Sequence, residues 1–288
     1  MHRFPIVFRC FLALFVTLIL SCGDSNPPSP FVPQPDTESL QEFVEYQAIA
    51  HDIWWLAEVA MTESGVYKTQ SICADVEHFE VSRVLLVDFG TQGCIGVDGR
   101  TRRGQITIRY IGTPRTPGFS YNIQFNVPNN PFFVDDRKVL GSIQVGDFVR
   151  DGDQILSFSI SDSLTFPRNG LMATVFHSQR TLKWISGENN GTTSNDVFEV
   201  SGSFGGMLTT LQEVEAEIQT PLLLRSDCMN GPAGMYPLDG VISQQIGEWE
   251  GGTFMAEETY QLDFGIGACD LEAKIRWNDQ EADVNLVE

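Results

Sequence analysis

The chain has 288 residues, 42% of them apolar, with 18 basic against 38 acidic side chains. That apolar content fills a core and excludes global disorder. The charge of −20 excludes nucleic acid and anionic membrane surfaces as electrostatic partners.

The first segment carries an address. Arg3 and Arg9 precede an apolar run from Cys10 to Leu20, and Ser21 stands before Cys22. A basic n-region, a short apolar h-region and a small residue before the cut describe a secretory signal. A cut directly before cysteine is the mark of a bacterial lipoprotein, with Cys22 as the lipid-bearing mature N-terminus. The run makes about 16 Å of helix, too short for a ~30 Å hydrocarbon core. Removal of residues 1–21 takes away two basic residues and no acid, leaving 267 residues with a net charge of −22. Gly23, rather than aspartate, follows Cys22, which by enterobacterial sorting directs the protein to the outer membrane, on its periplasmic or its cell-surface side. Residues 22–36 comprise the lipidated cysteine and a tether with Pro27, Pro28, Pro30, Pro33 and Pro35. As polyproline II, its 14 residues after Cys22 would reach roughly 43 Å at ~3.1 Å each.

Residues 37–288 are expected to form a single β-rich domain. It opens with one helix at about 38–62, where Ser39 and Glu42 make a capping box. Leu40, Phe43, Ala50, Ile53, Trp54, Ala57 and Met61 form an apolar stripe, broadened by Ile49 and Leu56, and Gly65 is a natural stop. The spacing predicts an amphipathic helix packed on a sheet, with Trp54 inside, Trp55 at the margin, and Glu42, Glu45 and Glu58 in water.

Beyond Gly65 the period changes to two. Ile106, Ile108 and Tyr110 alternate with Gln105, Thr107 and Arg109, and Tyr121, Ile123 and Phe125 with Asn122 and Gln124. The same pattern recurs at 156–160, 214–219 and 273–277. Strands with one wet face belong to antiparallel sheets. Turn pairs stand at Asp98-Gly99, Asn129-Asn130-Pro131, Asp151-Gly152, Asn169-Gly170, Asn190-Gly191 and Asp239-Gly240. The fold expected is mainly β: a long antiparallel meander closed as a barrel or folded as a sandwich.

Four cysteines remain after Cys10 and Cys22, and four allow three pairings. An internal repeat chooses among them. Leu86-Val87-Asp88-Phe89-Gly90 is followed by Gly93 and Cys94, and Gln261-Leu262-Asp263-Phe264-Gly265 by Gly267 and Cys269. Each copy ends in a cysteine with another upstream, so the expected bonds are Cys73–Cys94 and Cys228–Cys269, each clipping its strand to the strand before. Zinc is the rival use, but no C-x-x-C occurs and His51, His78 and His177 are scattered.

The helix, the repeated strand-Asp-Phe-Gly-turn-Cys motif and the run Gly99-Arg100-Thr101-Arg102-Arg103-Gly104-Gln105-Ile106 resemble an uncharacterised family of cell-envelope lipoproteins of the Bacteroidetes. Trp184-Ile185-Ser186-Gly187 and Phe198-Glu199-Val200-Ser201-Gly202 add to the resemblance, which spans most of residues 38–288. It implies an envelope address and a β-rich fold, and no activity. If that source holds, Asp162-Ser163-Leu164 fits a short acceptor pattern for O-glycosylation.

The motifs that suggest chemistry each have a plainer explanation. Asp-Phe-Gly lacks the other parts of a kinase site and reads as a strand end before a turn. Ser201-Gly202-Ser203-Phe204-Gly205 lacks the first glycine of a nucleophile elbow. Asp147, Asp151 and Asp153 lack the EF-hand pattern, and Asp135-Asp136 and Asn195-Asp196 read as solvated loops. Glu248, Glu250, Glu257 and Glu258 flank Trp249 and the turn Gly251-Gly252, which suggests a hairpin tip. There Trp249 is the candidate ligand contact, able to stack on a sugar while the glutamates accept hydroxyls. No catalytic residue, metal or cofactor is therefore expected. The reading is a non-enzymatic binding or structural module of the envelope, the alternatives being a surface glycan-binding accessory protein and, behind it, a glycan hydrolase. Its expected partners are the membrane, through the lipid, and an envelope glycan or protein.

Overall fold

The computed structural model describes residues 37–62, 68–69, 73–125, 127–151, 155–167, 173–188, 193–228 and 236–286. Cys22 with its signal and tether, Gly65, Gly152, Asp153, Asn169-Gly170 and Asn190-Gly191 lie outside them.

The helix, α1, spans Thr37–Thr62. Strands follow in chain order: β1 (Lys68–Thr69), β2 (Ala74–Phe79), β3 (Val84–Asp88), β4 (Cys94–Ile95), β5 (Thr101–Arg103), β6 (Gln105–Ile111), β7 (Ser120–Gln124), β8 (Phe133–Val134), β9 (Arg137–Lys138) and β10 (Leu140–Asp151). Then come β11 (Ile155–Phe166), β12 (Thr174–Ser186), β13 (Val197–Met207), β14 (Glu213–Thr220), β15 (Leu222–Arg225), β16 (Asp239–Glu250), β17 (Thr253–Ile266), β18 (Glu272–Trp277) and β19 (Gln280–Asn285). All ladders are antiparallel, as the one-sided alternation requires.

Fifteen strands make one sheet, in the order β1-β2-β3-β6-β7-β10-β11-β12-β13-β14-β16-β17-β18-β19, with β15 also on β13. A second, small sheet runs β4-β5-β8-β9. Among the described residues no ladder joins β1 to β19.

The helix corrects an expectation. It is not amphipathic with a wet face but buried on all sides: nearly every residue from Phe43 to Met61 is inaccessible. Aromatic contacts reach it from β11 (Trp54–Phe158, 6.0 Å), β12 (Phe43–Phe176, 5.7 Å) and β13 (Trp54–Phe198, 5.2 Å). At its start Gln41 donates to the Asn285 carbonyl of β19; near its end Glu58 meets Tyr121 of β7. Contacts from strands so far apart in the order require the sheet to curve around α1. Trp55, expected at the margin, is only 5% exposed.

Both disulfides expected from the repeat are present, with Cα–Cα distances of 6.0 Å for Cys73–Cys94 and 5.4 Å for Cys228–Cys269. The two motif copies share their geometry. The aspartate accepts from the glycine two residues on (Gly90 to Asp88, 2.8 Å; Gly265 to Asp263, 3.0 Å), that glycine has positive φ, and Phe89 and Phe264 are buried. The second bond departs from the expected geometry: Cys228 follows β15, which pairs with β13, whereas the strand before β17 is β16.

Asp239-Gly240 is not a turn but the start of β16, where the register with β17 shifts. Gly240 has φ +106, and a Cβ there would fall 2.5 Å from the Pro221 carbonyl oxygen. A strand passing this close to a neighbouring backbone needs glycine for the same reasons a turn does.

Candidate functional site

Two groupings of polar residues stand out, one inside the curved sheet and one on its outer face.

The inner grouping holds the helix. Glu45 and Asp52, two turns apart on α1, meet the small sheet. Arg102 of β5 is 2% exposed and forks onto Asp52 at 2.5 and 2.9 Å, with Asp98 completing its shell. Arg100 binds Glu45 at 3.1 Å and Asp135 at 3.0 Å, and Arg137 of β9 reaches Glu45 at 3.2 Å. Tyr236 also donates to Glu45. Burial opposes the Arg102 charge, but Asp52 and Asp98 more than offset it and hold its proton above the ordinary range. The arginine run that carried the family resemblance is thus the clamp on α1. A turn of Asp135 and Asp136, both at positive φ, joins β8 to β9, and Asp135 receives the Thr101 amide at 2.8 Å. Asp135 is therefore a structural pivot and not merely solvated.

Further along, Tyr121 donates to Glu58 at 2.5 Å. Glu58 is 3% exposed, which corrects the expectation that it stays wet. Burial pushes its carboxyl pKa up, and Tyr121 and Arg115 only partly oppose this. Burial likewise raises Asp196, which Arg115 pairs at 2.9 Å while stacking over Trp184 at 4.3 Å. Asp162 is ion-paired with Arg180 and accepts from Ser178, all three buried. The residue before the exposed Ser163 in the acceptor pattern is therefore a core anion.

The outer grouping is a lattice. Cross-strand partners on the wet face run Ser161, Gln179, Ser203, Glu217, Ser243, Gln261, Arg276 through β11, β12, β13, β14, β16, β17 and β18. The next row runs Ser163, His177, Gly205, Glu215, Gln245, Thr259. Over these rows lies an open groove of about 1000 Å³ lined by Ser161, His177, Gln179, Ser203, Glu215, Glu217, Ser243 and Gln245. The His177 ring lies over Gly205, where a Cβ would stand 2.6 Å from its Nε2. The groove wall offers hydroxyls, amides, carboxylates and an imidazole, a set that donates and accepts hydrogen bonds in every direction.

Trp249 sits where expected, at the tip of the β16–β17 hairpin with its glutamates. It pairs with Phe254 across the strands at 5.8 Å and is 49% exposed. Alternation along β16 puts Ser243, Gln245, Gly247 and Trp249 on one face, so the groove and the tryptophan share the outer surface. The Ser201–Gly205 segment lies wholly within β13, without the strand-to-helix turn of a nucleophile elbow. Asp147 accepts from Ser159 at a break in the β10–β11 register. Among the described residues no group of three or more histidine, cysteine or acidic side chains is placed to hold a metal ion, and no helix is long and apolar enough to cross a membrane.

Sequence reasoning missed the groove. The alternation revealed which residues are wet, but not that serines and glutamines dozens of positions apart fall into register. Comparison with known protein families, curated proteins and solved structures returns no match for this chain.

Proposed function

We propose that this protein is an outer-membrane lipoprotein, anchored through Cys22, whose β-rich domain is a non-enzymatic module that binds glycan on its outer face. In this reading the curved sheet is a barrel-like shell whose lumen is filled by α1. The lumen's charged groups are engaged with one another, Arg102 and Arg100 with Asp52 and Glu45 of α1 and Arg180 with Asp162 of β11. Recognition then belongs to the outside.

The observation that carries the reading is the polar lattice leading to Trp249. Serine, glutamine and glutamate at the roughly 4.8 Å spacing of neighbouring strands offer a regular ladder of partners for sugar hydroxyls. An exposed indole at the end of the same face provides a flat apolar platform for a pyranose ring. The Pro-rich tether would lift this face clear of the lipid headgroups. The resemblance to Bacteroidetes envelope lipoproteins agrees with that address.

The test is a glycan array probed with the mature chain, followed by titration of each hit with Trp249→Ala and Gln179→Ala. Each change should weaken binding about tenfold or more, equivalent to ~1.4 kcal/mol, and the glycan should be recovered intact. Turnover of the polysaccharide, abolished by Glu217→Gln or Glu250→Gln, would replace the binding module with the hydrolase. Absence of glycan binding would leave an envelope module with another ligand.

A further inference from the structure

The outer groove has a charge of its own. Glu215 and Glu217 are exposed on the wet face of β14. Two positions apart on one strand, they stand roughly 6.8 Å from each other at ~3.4 Å per residue. Around them the groove is uncharged. Glu217 lies between Ser203 of β13 and Ser243 of β16, and Glu215 between Gly205 and Gln245. The His177 ring, over Gly205, stands on the β12 side of Glu215. The lining includes no lysine or arginine. Among the described residues neither glutamate forms an ion pair, and Glu217 accepts from the Gln219 amide at 3.3 Å. The cation in its row, Arg276, is three strands away and is engaged by Asp263 at 2.9 Å and Glu281 at 3.5 Å.

This charge decides what the groove prefers. A ligand that covers it takes both carboxylates out of water. A neutral sugar leaves them desolvated without a countercharge, and an acidic one adds repulsion. An ammonium group offsets the desolvation and donates charge-assisted hydrogen bonds, about twice as strong as neutral ones. An N-acylated amine brings one neutral N–H and no charge. Two carboxylates at this spacing can meet two amines of one chain, while the serines and glutamines beside them match its hydroxyls in either sense.

We infer that the outer groove takes a glycan with free amino groups, Glu215 and Glu217 accepting from its unacylated amines and the serine and glutamine rows holding its hydroxyls. The inference rests on the glycan-binding reading and names the class of glycan within it.

The experiment titrates the mature chain by calorimetry with three oligosaccharides of equal length: β-1,4-linked glucosamine, its fully N-acetylated counterpart, and galacturonic acid. The glucosamine oligomer should bind about tenfold or more tightly than the N-acetylated one, and the acidic oligomer should bind least. The preference should fade as salt is raised. Glu215→Gln with Glu217→Gln should abolish it. Glu77→Gln with Glu80→Gln removes the same charge from exposed positions at the end of β2 and should leave it intact. Equal loss from both pairs of changes would overturn the inference, because the attraction would then belong to the acidic chain as a whole. N-acetylated or acidic oligomers binding as tightly as the free amine would overturn it as well, and so would no binding by the glucosamine oligomer. In those cases hits elsewhere on the glycan array would leave the binding reading standing with another class of ligand, and an array without hits would overturn both.

Discussion

Glu58 shows how a single buried carboxyl can set a pH dependence. It accepts a hydrogen bond from the Tyr121 hydroxyl, and burial raises its pKa above the ordinary 4.5. The folded chain therefore holds this proton more tightly than the unfolded chain. Below the unfolded pKa both states are protonated and the group contributes no slope. As pH rises from there to the folded value, the folded state loses stability relative to the unfolded. Glu58→Gln keeps the shape and a hydrogen-bond acceptor and removes the titration. Thermal melts between pH 5 and pH 8 should show the parent losing more stability than the variant over that interval; parallel curves would refute the assignment. The neighbouring tryptophans bear on the same helix. Trp54 and Trp55 are both buried, so each change to alanine should cost about 3–5 kcal/mol in chemical denaturation, and Trp55 should not be the clearly milder of the two.

At the scale of elements, the small sheet and α1 form one unit through ion pairs. Arg102→Met alone leaves Asp52 buried without its cation and should cost about 3–5 kcal/mol. Asp52→Leu alone leaves Arg102 with Asp98 and should cost less. The double change removes both charges and should recover much of the loss, because a well-packed apolar pair replaces a desolvated ionic one. A double-mutant cycle by urea denaturation checks this; additive single effects would mean that the two side chains do not act together. This clamp also marks where the sequence stopped being legible. The alternation of Ile106 with Thr107, or of Val214 with Glu215, identifies strands because it depends only on which face is wet. The Asp-Phe-Gly repeat identified both disulfides because it is a local backbone geometry written twice. On α1, however, Glu45 and Glu58 read as a solvent face and Asp52 gave no signal, since a carboxylate inside a sheet makes sense only once Arg100, Arg102 and Tyr121 are known to face it. Those partners lie 55, 50 and 63 positions away. The outer groove was hidden for the same reason: its residues become neighbours through register alone.

At the scale of the whole molecule, address, oxidation state and charge argue together. Two disulfides in the folded domain suit an oxidising compartment, which is where a secretory signal ending at Ser21 would deliver it. On the loop-entropy model each bond stabilises by about 3–4 kcal/mol, so a chain that stays in the reducing cytosol would lose a large part of an ordinary domain's stability margin. In the proposed lipoprotein, export and folding would then be linked, and anchorage would rest on the lipid at Cys22, because an acidic domain has no electrostatic attraction to anionic headgroups. Cys22→Ala should abolish labelling by a radioactive fatty acid and leave either the uncleaved precursor or a soluble exported form. Where the exported form appears, non-reducing peptide mapping should still recover Cys73–Cys94 and Cys228–Cys269. Unchanged mass and unchanged partitioning into detergent in the variant would refute lipid attachment at Cys22, and four free thiols in the exported chain would break the link between address and fold.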